Sequence, residues 1–324
     1  MMSIIRRGLA GLALAAAIVP MVAAAQEWPQ RTVTLVVPFP PGGTTDQIAR
    51  HIQQPLSQAL GQPVVVENKG GGSGSIGAAL VAKAAPDGYT WLVSFDTHGV
   101  NPSLIPNLSF DTLKDLTQVM LIGTSPMLIT AHPSTPYKSF KEVLDVAKKD
   151  GNAVSFGTIG SGSLGHLAMQ LIQTETGSKM THIPYKGGGP LTADAVAGHV
   201  PVAIGSAALM SPHVKAGKLR AIGVTSPQRF APMGDVATIS EQGVPNFDSE
   251  AWWGLHVPAG TPQPIIQKMH KAFADSLRSP AVQEKLTAQG VVLRTTSPQD
   301  FTMFLDNEVK RWSKVVKDNK ITPQ

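Results

Sequence analysis

Apolar runs of strand length alternate with segments of helical periodicity along the first part of the chain. The runs at 33–37, 64–67 and 91–94 predict strands, and the β-branched residues of the first run indicate that it is buried. The segments 47–60 and 76–85 predict helices between those strands. This order is typical of an α/β fold with a largely parallel sheet and helices on both faces.

The rest of the chain continues the alternation and predicts a second lobe. A long apolar segment at 117–130 predicts a strand that leaves the first lobe and enters the second. Further strands are expected at 154–157, 182–185, 200–204 and 219–224, and helices at 140–149, 164–176, 190–198, 265–277, 280–289 and 298–317. The segment 252–257 is expected to cross back, and the last three helices, which are amphipathic, are expected to pack on the first lobe.

Two crossings of the chain predict two lobes joined by a hinge. We expect lobe 1 to comprise residues 26–126 and 251–324, and lobe 2 to comprise residues 127–250. A chain of 324 residues is long enough for one large or two medium domains. Because open α/β sheets bind ligands beyond the carboxyl ends of their strands, the ligand site is expected in the cleft between the lobes.

The first 25 residues have the pattern of an export signal. Arg6 and Arg7 precede an apolar stretch at 9–19, which is too short to span a bilayer comfortably. Small residues up to Ala25 predict cleavage there and a mature protein that begins near Gln26 in the periplasm. A retained membrane anchor is the alternative, and the choice between Sec and twin-arginine export stays open.

Composition and charge narrow the range of partners. The formal charge of +5 becomes +3 when Arg6 and Arg7 are removed, and the remaining basic residues form no block interleaved with aromatics. Nucleic acid is therefore not an expected partner. The chain has no cysteine, which is compatible with export but does not prove it. We expect a monomer.

A glycine turn follows the first predicted strand. Prolines end the strand, and Gly42-Gly43 permits a tight turn and the close approach of a ligand. Thr44, Thr45 or Asp46 is expected to cap the next helix. Unpaired N–H groups at this helix start would form an anion site, and an ordinary strand-to-helix turn is the alternative.

The chain contains one internal echo. Gly72-Ser73-Gly74-Ser75-Ile76-Gly77 matches Gly160-Ser161-Gly162-Ser163-Leu164-Gly165, and each segment follows a predicted strand and precedes a helix. The functional interpretation is a pair of helix N-termini, one per lobe, that offer N–H and hydroxyl donors to one anion. A chance match of small residues is the alternative.

The sequence patterns of common enzymes are missing. Neither echoed segment fits G-x-S-x-G, and the glycine turns lack both the P-loop ending and the dinucleotide fingerprint. The nine histidines form no metal-binding spacing. We therefore expect no enzyme, cofactor or metal. An exported hydrolase that uses Ser161 or Ser163 with His166 is the principal alternative.

Polar side chains are frequent in the predicted loops. Trp252 and Trp253 are expected either in the core or as a flat apolar wall of the ligand site. The residues expected to line the ligand site are Phe39, Pro40, Gly42, Gly43, Thr44, Thr45, Asp46, Ser73, Ser75, His98, Thr158, Gly160, Ser161, Ser163, His166, Tyr185, Lys186, Gly187, Ser206 and Trp253.

An ordered set of motifs resembles one family over essentially the whole mature chain. The set comprises Pro38-Phe39-Pro40-Pro41-Gly42-Gly43-Thr44-Thr45-Asp46-Gln47-Ile48-Ala49-Arg50, Val66-Glu67-Asn68-Lys69, Pro86-Asp87-Gly88-Tyr89, Thr97-His98 with Asn101-Pro102-Ser103-Leu104, Tyr185-Lys186-Gly187, Trp253-Gly254-Leu255 and Pro258-Ala259-Gly260-Thr261-Pro262. It is similar to the Bug solute receptors, the extracytoplasmic binding proteins of tripartite tricarboxylate transporters.

The resemblance implies a two-lobed type II periplasmic-binding-protein fold that closes on a carboxylate held by loops and ordered waters. It also implies delivery to a membrane permease with a large and a small subunit; a receptor that signals to a sensor protein is an alternative. Pro201 and Gly205-Ser206 stand where such receptors often carry acidic residues. This departure is expected to make that wall of the binding cleft more tolerant of a second ligand carboxylate. The identity of the ligand therefore stays open: it is a mono-, di- or tricarboxylate, aromatic or not.

Overall fold

The computed structural model describes residues 27–318 and residue 321. The predicted export signal and the mature start near Gln26 therefore lie outside the described residues. The strands of the described part are β1 (Val33–Val37), β2 (Val64–Asn68), β3 (Thr90–Phe95), β4 (Leu116–Ala131), β5 (Ser155–Thr158), β6 (Thr181–Pro184), β7 (Val202–Ser206), β8 (Arg220–Val224), β9 (Glu250–Pro258) and β10 (Val292–Leu293).

Ten α-helices alternate with these strands in the same described part. They are α1 (Thr44–Leu60), α2 (Ser75–Ala82), α3 (Thr97–Leu104), α4 (Phe140–Lys149), α5 (Leu164–Thr176), α6 (Gly188–Ala197), α7 (Ala207–Lys215), α8 (Gln263–Leu277), α9 (Pro280–Gln289) and α10 (Pro298–Asp318). The predictions for α4, α5 and α9 match these bounds, and most other predicted elements differ by one to three residues at an end.

The sheet is mixed, which corrects the prediction of a largely parallel sheet. Its strand order is β2-β1-β3-β9-β4-β7-β5-β6, with β8 and β10 also paired to β4. The pairs β1–β2, β1–β3, β5–β6 and β5–β7 are parallel, whereas every pair that involves β4 or β9 is antiparallel. The physical reason is that the chain passes out along β4 and returns along β9, so these two strands run in opposite directions.

Strand β4 connects the two halves of the sheet. Its first part pairs with β9 as far as Pro126, opposite Glu250, and its last part, from Met127, pairs with β7 and β8. The change of partners falls at the predicted crossing. We call the part that contains β1, β2, β3 and β9 the first sheet, and the part that contains β5, β6, β7 and β8 the second sheet. The lobe boundaries themselves stay a prediction.

The C-terminal helix packs against the first sheet. Glu308 of α10 is buried, and its Oε2 accepts hydrogen bonds from Nε1 of Trp252 at 3.2 Å and from Nε1 of Trp312 at 3.0 Å. Trp252 and Trp253 of β9 have no exposed surface. A buried carboxylate that accepts two indole N–H groups orients both rings, so it fixes α10 on β9.

Candidate functional site

The glycine turn after β1 is held by a buried carboxylate. The α1 N-cap is Gly43, and Thr44 is already helical, so none of Thr44, Thr45 and Asp46 is the cap that the sequence predicted. Instead, Asp46 accepts hydrogen bonds from Gly42 N at 3.0 Å, Arg50 Nε at 3.0 Å and Asn68 Nδ2 at 2.9 Å. Burial alone would raise the pKa of Asp46, but these hydrogen bonds and the Arg50 charge lower it overall.

A small cavity of about 20 Å³ lies between the two sheets, and we call it the inner chamber. It is lined by Phe39, Gly43, Thr44, Thr45, Phe95, Met127, Ile159, Gly188, Gly205, Ser206 and Leu209. Three helices start at its wall, namely α1, α6 and α7, the last with Ser206 as its N-cap. Since the first N–H groups of a helix have no partner within it and carry partial positive charge, this wall suits an anion.

Hydroxyl groups from both sheets face each other at the chamber. Thr44 Oγ1 lies 3.4 Å from Ser206 Oγ, and both residues are buried, as is Thr45. Ser206 Oγ accepts a hydrogen bond from Leu209 N at 3.2 Å, which leaves its own proton to donate. The chamber therefore offers hydroxyl donors beside the helix starts.

A second, larger and more open cavity of about 460 Å³ adjoins the first, and we call it the outer chamber. It is lined by Phe39, Pro40, Gly70, Gly71, Gly72, Ser73, Gly74, Ile159, Gly160, Tyr185, Lys186 and Gly187. Phe39 and Ile159 line both chambers and so form the neck between them.

The two echoed segments meet across the cleft. Ser73 Oγ donates a hydrogen bond to the carbonyl oxygen of Ser161 at 2.6 Å, and Asn101 Nδ2 donates to the carbonyl of Ser73 at 3.1 Å. Ser163 is the α5 N-cap, and its hydroxyl accepts from His166 N. The structure thus brings the segments together, but it uses the Ser73 and Ser163 hydroxyls for contacts within the protein.

The structure divides the predicted site residues into three groups. Those on the inner chamber are Phe39, Gly43, Thr44, Thr45 and Ser206. Those on the outer chamber are Pro40, Ser73, Gly160, Tyr185, Lys186 and Gly187, with Phe39 shared. Those that line neither chamber are Gly42, Asp46, Ser75, His98, Thr158, Ser161, Ser163, His166 and Trp253; their contact with a ligand stays a prediction.

Several residues of the third group support the lining from behind. Trp253 is buried and lies with its ring centroid 5.3 Å from that of Phe95. Thr158 donates its hydroxyl to the carbonyl oxygen of Gly160 at 3.0 Å. His98 is buried in α3, where desolvation lowers its pKa to about 4. The sequence predicts no helix at α3, which contains Gly99 and Pro102.

His166 has the surroundings of a neutral structural histidine. Its ring stacks on that of His182 with centroids 4.1 Å apart, and its Nδ1 accepts a hydrogen bond from Gly162 N at 3.1 Å. Burial lowers its pKa to about 4. Because the Ser163 hydroxyl binds the backbone of His166 and not its ring, Ser163 does not make the nucleophile–base contact that a serine hydrolase needs.

His166→Asn should make the protein less sensitive to acid. A histidine whose pKa is lowered by folding contributes stability that is lost as the pH falls from about 6.5 towards about 4. Asn keeps an acceptor for Gly162 N but does not titrate. Between pH 7 and 4.5, the free energy of unfolding measured in urea should fall about 2–3 kcal/mol less for the variant. If the free energy of unfolding depends equally on pH in parent and variant, His166 is not a buried neutral histidine with a lowered pKa.

Neither a metal site nor a membrane-spanning helix is found among the described residues. Within residues 27–318 and residue 321, no group of histidine, aspartate and glutamate side chains has the geometry to hold a metal ion. In that same part of the chain, no helix combines the length and the apolar character needed to cross a bilayer.

The fold and the cleft define a solute receptor of the periplasmic-binding-protein class. The family model of the tripartite tricarboxylate transporter family receptor, TctC, matches residues 48–321, and the chain belongs to this family. It is similar to the structure of periplasmic binding protein BugD, with 31% identity, a TM-score of 0.87, and coverage of 92% of this chain and 100% of that one. The predicted Bug resemblance and the predicted fold class are thereby confirmed.

Two further similar structures contain a bound carboxylate. One is R. palustris Rpa4515 with adipate, with 36% identity, a TM-score of 0.87, and coverage of 92% of this chain and 100% of that one. The other is MatC (Rpa3494) from Rhodopseudomonas palustris with bound malate, with 33% identity, a TM-score of 0.85, and coverage of 89% and 100%. The family is one of receptors and the BugD structure is that of a periplasmic binding protein, which agrees with the sequence expectation of a receptor.

Proposed function

We propose that the cleft captures a small organic carboxylate and that the carboxylate group occupies the inner chamber. One observation carries the proposal: the starts of α1, α6 and α7 converge there with the hydroxyls of Thr44, Thr45 and Ser206. The adipate and malate in the two similar structures support the choice of a carboxylate over other anions.

The physical requirement is that a buried carboxylate must regain the hydrogen bonds it loses with water. Among the described residues, the inner chamber is lined by no charged side chain, so N–H and hydroxyl groups must supply them. Hydrogen bonds to a charged acceptor are worth about 1.5–3 kcal/mol each. A few such donors are sufficient for a tight complex without an arginine or lysine.

The same proposal includes export and delivery. After cleavage near Ala25, the protein would bind its solute in the periplasm and present it to the large and small membrane subunits of a tripartite tricarboxylate transporter. The family assignment supports this role, because its members are the receptors of such transporters.

Thr45→Val should weaken carboxylate binding about tenfold or more without unfolding the protein. Valine has nearly the shape of threonine but lacks its hydroxyl, and Thr45 is a residue of the inner chamber's lining. Loss of one hydrogen bond to a charged acceptor corresponds to about a tenfold change in Kd. A thermal-shift screen of mono-, di- and tricarboxylates first identifies a ligand, because only binding to the folded state raises the apparent stability. Calorimetry then gives the affinities.

Thr181→Val is the matched control, because Thr181 is exposed on β6. It should leave the affinity unchanged. If Thr45→Val binds as tightly as the parent, and Ser206→Ala does too, the carboxylate does not occupy the inner chamber.

A further inference from the structure

We infer that the preferred ligand is an elongated dicarboxylate whose second carboxylate lies in the outer chamber beside Lys186. This inference rests on the proposed function and makes it more specific. It follows from the uneven distribution of charge and apolar surface along the cleft.

The apolar walls of the inner chamber disfavour a second charge, even though no acidic residue stands at Gly205-Ser206 to repel it. Apart from the helix starts and hydroxyls, the lining consists of Phe39, Phe95, Met127, Ile159 and Leu209. An ionised group pressed against such side chains loses its hydration without replacement, which is costly. A compact polycarboxylate, whose charges are one or two carbons apart, would place one of them there.

On the second sheet, a side chain longer than that of Gly205 would have to displace apolar side chains at the chamber. A Cβ atom at Gly205 would lie 2.9 Å from Met210 Cε and 3.1 Å from Leu209 Cδ2. Apolar side chains therefore occupy the space into which a longer residue at this position would extend.

The neck between the chambers favours an apolar middle section of the ligand. Phe39 and Ile159 line both chambers, so a molecule that extends from one to the other must pass them. The Phe39 ring is held edge-on against Phe95, with centroids 5.9 Å apart. Burial of methylene or aromatic carbons against such a surface stabilises the complex, whereas burial of hydroxylated carbons does not.

Lys186 is the charged side chain that lines the cleft among the described residues. It is exposed and makes no ion pair within that part of the chain. The nearest acidic residue along this loop and helix, Asp194, already accepts a hydrogen bond from Tyr185 Oη at 2.9 Å and lies 3.3 Å from His199 Nδ1. The Lys186 ammonium is thus available to an anionic group in the outer chamber.

The distance along the chain fits one ligand that reaches both chambers. Gly188 lines the inner chamber and Lys186 the outer one, two residues apart, which is a span of at most about 7 Å. One carboxylate can therefore face the start of α6 while the other faces Lys186.

The test compares linear acids that differ by one carboxylate. We expect the parent protein to bind pimelate at least about fivefold more tightly than heptanoate, and more tightly than succinate, in calorimetry at low salt. Lys186→Gln should weaken pimelate binding about fivefold and leave heptanoate binding within twofold. Lys179→Gln is the control, because Lys179 is an exposed lysine outside the lining of both chambers.

Each outcome separates the two proposals. If no carboxylate binds the parent at all, the proposed function fails, and this inference fails with it. If carboxylates bind but pimelate has no advantage over heptanoate or succinate, only the inference is overturned. Equal losses for pimelate and heptanoate in Lys186→Gln would also overturn it, because Lys186 would then not distinguish the second carboxylate.

Discussion

Gly188→Val should weaken carboxylate binding by about a hundredfold. A Cβ atom on Gly188 would lie 3.0 Å from both Leu209 δ-carbons and 3.4 Å from Gly43 Cα. The two further methyl groups of valine would fill the space in which the starts of α1 and α6 face each other across the cleft. Overpacking of this kind costs about 1–3 kcal/mol, and its upper end corresponds to about a hundredfold in Kd.

The loss of affinity should exceed the loss of stability. The contact with Gly43 crosses the cleft and is relieved when the cleft opens, whereas the clash with the Leu209 side chain lies within the second sheet and is present with or without ligand. The unfolding free energy without ligand should therefore fall by about 1 kcal/mol, the lower end of the cost of overpacking. Ala193→Val is the control, because it adds similar bulk to an exposed position of α6. Calorimetry and urea unfolding on both variants measure the two effects. Normal affinity in Gly188→Val would show that the ligand binds without this close approach.

The alternation of apolar and helical segments was sufficient to predict the α/β class and most elements. It failed at α3 and α7, where Pro102 and Pro212 lie inside helices that pack on the rest of the protein. Tertiary packing can stabilise such helices, and single-sequence patterns do not contain it.

Strand direction was the least predictable part of the fold. The sequence shows where β4 and β9 lie, but their antiparallel pairing depends on the path of the chain between them. Helical crossovers suggest that neighbouring strands are parallel. That rule holds among β1, β2 and β3, and among β5, β6 and β7. It does not extend to strands that connect the two sheets.

The polar side of the candidate site was easier to predict than its apolar side. Glycines and hydroxyls in loops after strands indicated the helix starts. Phe95, Met127 and Leu209 were missed, because an apolar residue at the end of a strand or in a helix has the sequence signature of an ordinary core residue. Conversely, nothing in the sequence distinguishes a serine that caps a helix, such as Ser163, from one that faces a ligand.

Asp46→Ala should lower the free energy of unfolding by about 2–3 kcal/mol and also weaken ligand binding. The Asp46 carboxylate is buried and accepts hydrogen bonds from Gly42 N, Arg50 Nε and Asn68 Nδ2. Its removal leaves these donors without their acceptor. The resulting loss of stability is large for buried donors and smaller for Arg50, which is half-exposed and can be solvated. Because Gly42 precedes the α1 N-cap, the same change loosens the wall of the inner chamber.

The pH dependence identifies the carboxylate as the cause. Folding lowers the pKa of Asp46, so its contribution to stability is fully present above the ordinary pKa of an aspartate and is lost as the pH falls through the lowered value. The gap in unfolding free energy between parent and Asp46→Ala should therefore stay constant from neutral pH to about pH 5 and shrink only in stronger acid. Asp145→Ala, which removes an exposed carboxylate paired with Lys141, is the control and should leave the free energy of unfolding nearly unchanged. A gap that is small at neutral pH would mean that Gly42, Arg50 and Asn68 find other acceptors, and that the glycine turn keeps its shape without Asp46.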